Sequence, residues 1–463
     1  MEKMKEEGAG DETHVLAFPI PAQGHINPLL QFCKRLASKR LKVTLALTLS
    51  TIKSAHNEVS NNVRVEGISD GFDEGGIKEA ESPDAYFEHF EVVGSQSLAE
   101  LIKKQESSSY PFKGLIYDSH IPWALEVAKR YGLVTASFFT QSCANDAIYY
   151  NAKKGFLSIP VEGPTVSLPG LPILEIHDLS SFIYNWGSYP TFLDAVLNQF
   201  KNVEKADCLL LNTFDKLEDE VLKWMSKIYP IKTIGPTVPS IYLDKQVEDD
   251  KDYGLSLFES SKETCMDWLN MREAGSVTYV SFGSMCELGE EQMEELALGL
   301  RNSNHYFLWV VRKSEENKLP KSLVAEDKYS EKGLVVAWCS QLEVLAHKAV
   351  GCFMTHCGWN STIEAVSLGV PMIAMPQWTD QPMNAKFVVD VWEVGVRVKL
   401  DEKGIVRREE IEKCVKEVMD QGDRGEQIKR NAFRWKVLAK EAVDEGGSSD
   451  KNIEDFVVSL LCT

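Results

Sequence analysis

Residues 338–381 read WCSQLEVLAHKAVGCFMTHCGWNSTIEAVSLGVPMIAMPQWTDQ. The apolar run 352–355 stops at His356 and predicts a buried strand. From Asn360 to residue 368 the apolar positions fall at helical spacing. Between the two stands Cys357-Gly358-Trp359, and a glycine in such a turn lets the backbone come close to a ligand. A helix start with unshared amides, at the positive end of the helix dipole, is a site for an anion. Asn360 and Ser361 suit the cap of that helix and also donate hydrogen bonds to phosphate oxygens. Glu364 follows one turn later, where a carboxylate accepts from hydroxyls. Trp338 ends the preceding apolar run and offers a flat face for a base. A further strand, 372–375, and a helix, 381–392, complete a strand–helix–strand alternation, the pattern of parallel βαβ units. Taken singly, these residues also have ordinary readings as a cap, a core tryptophan and a solvated glutamate.

The same alternation extends outward. Upstream, 277–282, 307–311 and 334–337 are expected strands, with helices over 290–301 and 342–347. Ser284, behind Gly283 and the strand 277–282, repeats the phosphate-facing design. In the first half, 14–19, 43–49, 114–117, 134–139 and 208–211 are expected strands, and 26–39 and 123–131 helices. The pattern lapses over 241–262, an acidic, Ser-rich stretch that reads as a linker. The expected fold is therefore α/β, with two Rossmann-like, doubly wound domains facing across a cleft. Residues 1–240 are expected to form the first domain and 263–445 the second. The segment 446–463 is a helix returning to the first domain. Ligands are expected at the carboxyl ends of the strands.

Composition narrows the chemistry. The 463 residues carry 69 acidic against 50 basic side chains, a net charge of -19, which disfavours nucleic acid and anionic membrane surfaces. Lys34-Arg35 and Arg407-Arg408 read as solvated helix faces. No apolar run reaches membrane-spanning length, and none near the amino end suits a signal peptide. The ten cysteines are scattered, so reduced thiols, a cytoplasmic location and a monomer are the expectation. Neither GxGxxG after a strand nor GxxxxGK[ST] occurs, which argues against an oxidoreductase and a P-loop kinase. Asp250-Lys251-Asp252 has the form of a DxD metal motif. It stands in the acidic stretch rather than after a strand, and reads as solvated charge, so no metal is expected.

The 44-residue run as a whole resembles the signature box of plant family 1 UDP-glycosyltransferases. PAQGHINP around His25, YDSHIPW around Asp118, TQSCA near Ser142 and EGGSSDKNIEDF near the carboxyl end extend the likeness over the chain. The resemblance implies the GT-B fold and transfer of a sugar, glucose for preference, from UDP-glucose to a small lipophilic acceptor. UDP-glucose would be a co-substrate and no resident cofactor would be needed. By that likeness Trp338 stacks uracil and Glu364 holds ribose. His356, Asn360, Ser361 and Ser284 hold the diphosphate, and Trp359, Asp380 and Gln381 the sugar. Gln381, at the last box position, goes with glucose. Gln341 joins this set of candidates.

The transfer needs a base. His25 opens a helix just after the first strand, and the positive helix start helps keep its imidazole neutral. Asp118 ends a strand of the same sheet, where a carboxylate can fix the ring tautomer and stabilise an imidazolium. The resemblance names the same two residues as the catalytic pair. A single displacement by a base-activated acceptor inverts the anomeric carbon. A non-catalytic UDP-sugar-binding protein is the rival reading, disfavoured because both residues are present. For the acceptor, an aromatic-rich first domain points to a rigid lipophilic plant metabolite such as a terpenoid, steroid or phenolic. Its candidate contacts are Phe18, Ile20, Phe87, Phe139, Ser142, Tyr184 and Trp378.

Overall fold

The computed structural model describes residues 13–56, 62–257, 261–320 and 332–462. The first sheet contains β1 (His14–Phe18), β2 (Lys42–Thr48), β3 (Arg64–Ile68), β4 (Phe112–Asp118) and β5 (Val134–Phe139). A short antiparallel hairpin follows, β6 (Thr165–Val166) with β7 (Leu174–Glu175), and then β8 (Cys208–Leu211) and β9 (Ile231–Thr233) return to the first sheet. Its order is β3-β2-β1-β4-β5-β8-β9, parallel throughout. The second sheet holds β10 (Val277–Ser281), β11 (Tyr306–Val310), β12 (Gly333–Val336), β13 (Val350–Thr355), β14 (Met372–Ala374) and β15 (Gly395–Arg397). Its order is β12-β11-β10-β13-β14-β15, again all parallel. Parallel strands need crossovers and are covered on both faces, which is why their sequences are unbroken apolar runs. HVLAF of β1 and VTYVS of β10 are buried at every position.

The strands that the sequence does not announce are the edge strands. β3 is exposed at Arg64 and Gly67 and buried only at Ile68, while β9 and β15 are three residues long. The longest helix of the first domain, Pro83–Glu106, buries Tyr86, Phe90, Gly94, Leu98, Leu101 and Ile102 along one stripe, with Ser82 capping its start. Most of the remaining positions are polar, so the periodicity is faint.

The final helix, Ser448–Leu461, lies against the first domain. Phe456 packs on Phe32 with centroids 6.2 Å apart, and Asn452 donates to the Thr233 carbonyl at 3.0 Å. Lys39 reaches Asp450 at 2.5 Å and Glu454 at 3.0 Å.

The acidic stretch is anchored at Asp250 rather than solvated throughout. Asp250 is 4% exposed and Lys34 6%. Lys34 Nζ donates to Asp250 Oδ1 at 3.1 Å, and the Ser240 amide donates to Asp250 Oδ2 at 2.6 Å. Gln31 also donates to Asp250, and Arg35 pairs with Asp244. The expectation of solvated charge is thus overturned for Asp250 and for Lys34-Arg35, whereas Lys251 and Asp252 are exposed as expected. Lys34 and Arg35 find their counter-charges in Asp250 and Asp244 of the other segment, and pairing makes burial tolerable. The stretch is strapped to the helix Gln23–Ser38.

Candidate active site

Each sheet reverses its winding at one place, and both halves of the site stand there. β1 lies between β2 and β4, and β10 lies between β11 and β13. Such switch points open a crevice beyond the strand ends. β1 and β4 run in register, Phe18 opposite Tyr117, so the helix after β1 and the end of β4 meet. That helix carries His25, and β4 ends on Asp118.

His25 Nδ1–H donates to Asp118 Oδ2 at 2.6 Å, with the carboxylate fully buried and the imidazole one quarter exposed. Burial alone pulls the His25 pKa down. The Asp118 charge, its hydrogen bond and the charge of Asp380 outweigh that, and the net shift is upward. Asp118 moves the other way. Burial favours its neutral form, but His25 and His120 hold it ionised, far below the usual carboxylate range. Thr140 Oγ1 lies 3.3 Å from His25 Nδ1. This geometry fixes the proton on Nδ1 and leaves Nε2 as the acceptor of a proton.

In the second domain β10 and β13 pair Ser281 with Thr355, and Ser284 and His356 follow these strand ends. A Cβ on Gly283 would come within 2.7 Å of His356 Nε2, and one on Gly358 within 2.6 Å. The two glycines therefore make the room in which the imidazole sits. Burial pushes the His356 pKa down to about 4, which keeps the ring neutral. The left-handed turn residue is Cys357, at φ 64°, rather than the glycine. A non-glycine residue held there is a mark of local constraint.

The helix Trp359–Leu368 starts at Gly358 with no side-chain cap. Its first amides are therefore open donors. Asn360 and Ser361 do not cap it. Asn360 Nδ2 donates across the cleft to the Gly24 carbonyl at 2.7 Å, and Ser361 Oγ accepts from Gln341 Nε2 at 2.9 Å. Gln341 Nε2 also donates to Glu364 Oε2 at 2.8 Å, and Tyr253 Oη donates to Glu364 Oε1 at 2.8 Å. Burial raises the Glu364 pKa to about 7, against the pull of those two donors. Trp338 is half-buried just beyond β12. Gln381 Oε1 accepts from the amides of Gln377, at 2.9 Å, and Trp378, at 3.1 Å, which leaves its Nε2 to donate. Asp380 accepts from Asn384 Nδ2 at 2.8 Å, and burial raises its pKa.

Four candidate residues take other roles. The Trp359 indole is buried and its N–H donates to the Asn212 carbonyl at 2.8 Å, so the ring braces the two domains and only its backbone faces the helix start. Phe18 is fully buried against Phe90 and Trp123, and Phe139 packs on Phe200, so both are core rather than acceptor contacts. Large aromatics on central strands are the first residues a core recruits. Ser142 caps the helix Cys143–Lys153 and donates to Asn384 Oδ1 of the other domain at 3.0 Å. Ile20, Phe87, Tyr184 and Trp378 are half-buried. Trp378 packs with Phe182, Tyr189 and Phe192 in one aromatic cluster that joins the domains.

Three contributors escaped the sequence reading: Tyr253, His120 and Asn384. His120 stands in the quoted YDSHIPW, and its type is the only signal it gives. Among the described residues, His25, Asp118 and His120 bring donor atoms of metal-binding type within 4.8 Å of one another. The 2.6 Å separation of His25 Nδ1 from Asp118 is that of a hydrogen bond with a proton between the atoms. No described helix is long and apolar enough to cross a membrane.

A family model described as UDP-glucoronosyl and UDP-glucosyl transferase matches residues 259–442, and one described as glycosyltransferase, N-terminal domain, matches 11–85. The chain is 51% identical to mogroside I-E synthase of Siraitia grosvenorii, over 98% of this chain and 99% of that one. It is 49% identical to a flavonol 7-O-beta-glucosyltransferase of Arabidopsis thaliana, over 99% of each. The crystal structure of Os79 from O. sativa in complex with UDP superposes with a TM-score of 0.91 at 42% identity, over 96% of this chain and 100% of that one. A paired histidine and aspartate at one switch point, an uncapped helix start at the other and full-length identity near one half have one common explanation: the chain belongs to the plant family 1 UDP-glycosyltransferases.

Proposed function

We propose that this enzyme transfers glucose from UDP-glucose to a hydroxyl of a lipophilic polycyclic acceptor, inverting the anomeric carbon, with His25 as general base. The observation that carries the reading is the His25–Asp118 pair, held at 2.6 Å at the first switch point, across the cleft from the open helix start of the second. His25 Nε2 takes the proton of the acceptor hydroxyl as its oxygen attacks the anomeric carbon. The bond to the UDP oxygen breaks, and the proton stays on the imidazole, where Asp118 stabilises the cation. Attack from the face opposite UDP turns an α-linked donor into a β-glucoside. The charge gathering on UDP meets the free amides at the start of Trp359–Leu368 and the hydrogen-bonding groups of His356, Asn360, Ser361 and Ser284. These donors stand in for a metal, and no resident cofactor is required.

On the donor side Trp338 stacks uracil, Glu364 and Gln341 take the ribose, and Asp380 and Gln381 take the glucose. Asp380 accepts and Gln381 Nε2 donates, a complementary pair for neighbouring hydroxyls. On the acceptor side the aromatic cluster around Trp378 supplies a broad apolar wall, suited to a steroid or triterpenoid alcohol over a small phenolic acid. The named relatives, one a mogroside synthase and one a flavonol glucosyltransferase, support a polycyclic preference. A cytosolic location fits the nine buried free cysteines, and the enzyme is taken to work as a monomer.

The test is incubation with equal UDP-glucose, UDP-galactose and UDP-glucuronate against steroid, triterpenoid, flavonoid and benzoic-acid acceptors, read by product mass and by the anomeric coupling constant. Products that are mostly β-glucosides of the polycyclic alcohols are expected. An α-glucoside would end the inverting reading, and turnover of small acids alone would end the polycyclic one.

A further inference from the structure

Asp118 serves two histidines. Its Oδ2 accepts from His25, while its Oδ1 accepts from the His120 backbone amide at 3.0 Å and lies 3.2 Å from His120 Nδ1. An ionised carboxylate only accepts, so His120 Nδ1 carries the hydrogen. The other neighbour of that nitrogen, Ser119 Oγ at 3.3 Å, gives its own hydrogen to Gln199 Oε1 at 3.0 Å and is free to accept as well. The two imidazoles stand edge to face, perpendicular, with centroids 5.1 Å apart. Because the carboxylate is fully buried, its charge is shared among these donors rather than spread into water.

We propose that His120 is a positioning residue for the transfer: it turns Asp118 toward His25 and lowers the basicity of His25 by drawing on the same carboxylate. The proposal rests on the reading of His25 as the base. A donor on Oδ1 withdraws negative charge from Oδ2, so the imidazolium of His25 is held less tightly than by a carboxylate serving one ring alone. The free enzyme then keeps a neutral His25, ready to accept a proton, to lower pH. The groups that face His25 are Asp118 from the end of β4, His120 from the turn after it, the Thr140 hydroxyl beyond β5 and Asp380 from the second domain. Of these His120 alone bonds the carboxylate from the side away from His25. Its perpendicular ring also limits rotation of the base.

The experiment compares wild type, His120→Phe and His120→Gln by the pH dependence of kcat/KM, with an aliphatic alcohol acceptor that does not itself titrate. Phenylalanine keeps the ring packing and loses the donor, while glutamine restores a donor. His120→Phe should move the acid limb upward by about half a pH unit and lower kcat several-fold, and His120→Gln should return the limb toward wild type. Unchanged UDP affinity in both variants checks that the nucleotide half is intact. An unmoved limb with only the acceptor KM altered overturns the proposal and makes His120 a wall of the acceptor pocket. His25→Ala, measured alongside, separates the two layers: retained turnover there removes the base assignment itself, whatever the His120 variants do.

Discussion

The Tyr253 hydroxyl donates to Glu364 Oε1 at 2.8 Å, so a residue of the strap between the domains occupies the carboxylate proposed for the ribose. Ribose hydroxyls compete with Tyr253 for that oxygen. A hydrogen bond to a charged group contributes about 1.5–3 kcal/mol, so the exchange weakens nucleotide binding. Tyr253→Phe has nothing to release and is expected to bind UDP about tenfold more tightly, or better, by titration calorimetry. Weaker binding would mean that Tyr253 stays on Glu364 as part of the occupied site.

The same carboxylate makes binding depend on pH. Burial raises the Glu364 pKa to about 7, so near neutrality part of the free enzyme holds it protonated. Ribose hydroxyls donate to the ionised form and favour it. UDP binding should therefore release protons near pH 7 and weaken as the pH falls below it. Calorimetry in buffers of different ionisation enthalpy reads the proton count, and Glu364→Gln should abolish the release. A wild-type count of zero at pH 7 would contradict the assignment.

His25→Ala should lower kcat by about 10²–10⁴-fold, the usual cost of losing a general base, while UDP affinity stays near wild type. The net charge effect on His25 is upward, and the working form is the neutral ring. Activity should accordingly be lost on acidification, with the limb shifted upward from the ordinary imidazole value. Retention of a tenth of wild-type turnover by the variant would rule His25 out.

How far the sequence revealed this site depends on what each residue touches. His25, Asp118, Ser284 and His356 follow central parallel strands, whose unbroken apolar runs fix where the strand ends fall. The roles of Phe18 and Phe139 were misread because a strand alternates faces, and nothing local says which face meets the cleft and which the core. Trp359, Ser142 and Asn384 contact the opposite domain, and sequence spacing carries no information about partners 147 or 242 positions away. The Asp250 strap was hidden for the same reason. Its charges look solvated until the helix Gln23–Ser38 supplies Lys34 and Arg35.

Asp250 offers a direct contrast between a structural ion pair and a metal ligand. Both it and Lys34 are nearly inaccessible, and removing one partner of a buried pair costs about 3–5 kcal/mol. Asp250→Ala should lower the Tm by several degrees. Wild-type turnover should survive EDTA unchanged. Activity lost to EDTA and restored by Mg²⁺ or Mn²⁺ would show that a cation takes part after all.

Gly283 and Gly358 test whether the imidazole of His356 matters to the diphosphate. Alanine at Gly283 meets two obstacles, a φ of 73° that disfavours any side chain and a Cβ 2.7 Å from His356 Nε2. Alanine at Gly358 meets only the second, because its φ is an ordinary -59° and its Cβ would lie 2.6 Å from the same nitrogen. If displacement of His356 is what costs binding, both variants should lose UDP affinity by about tenfold or more, as expected for one lost hydrogen bond to a charged group. The fold should persist, since both positions lie at the cleft rim rather than in a strand. A loss confined to Gly283→Ala would trace the effect to backbone strain instead. Wild-type affinity in both would mean that the space around His356 is not needed for the nucleotide.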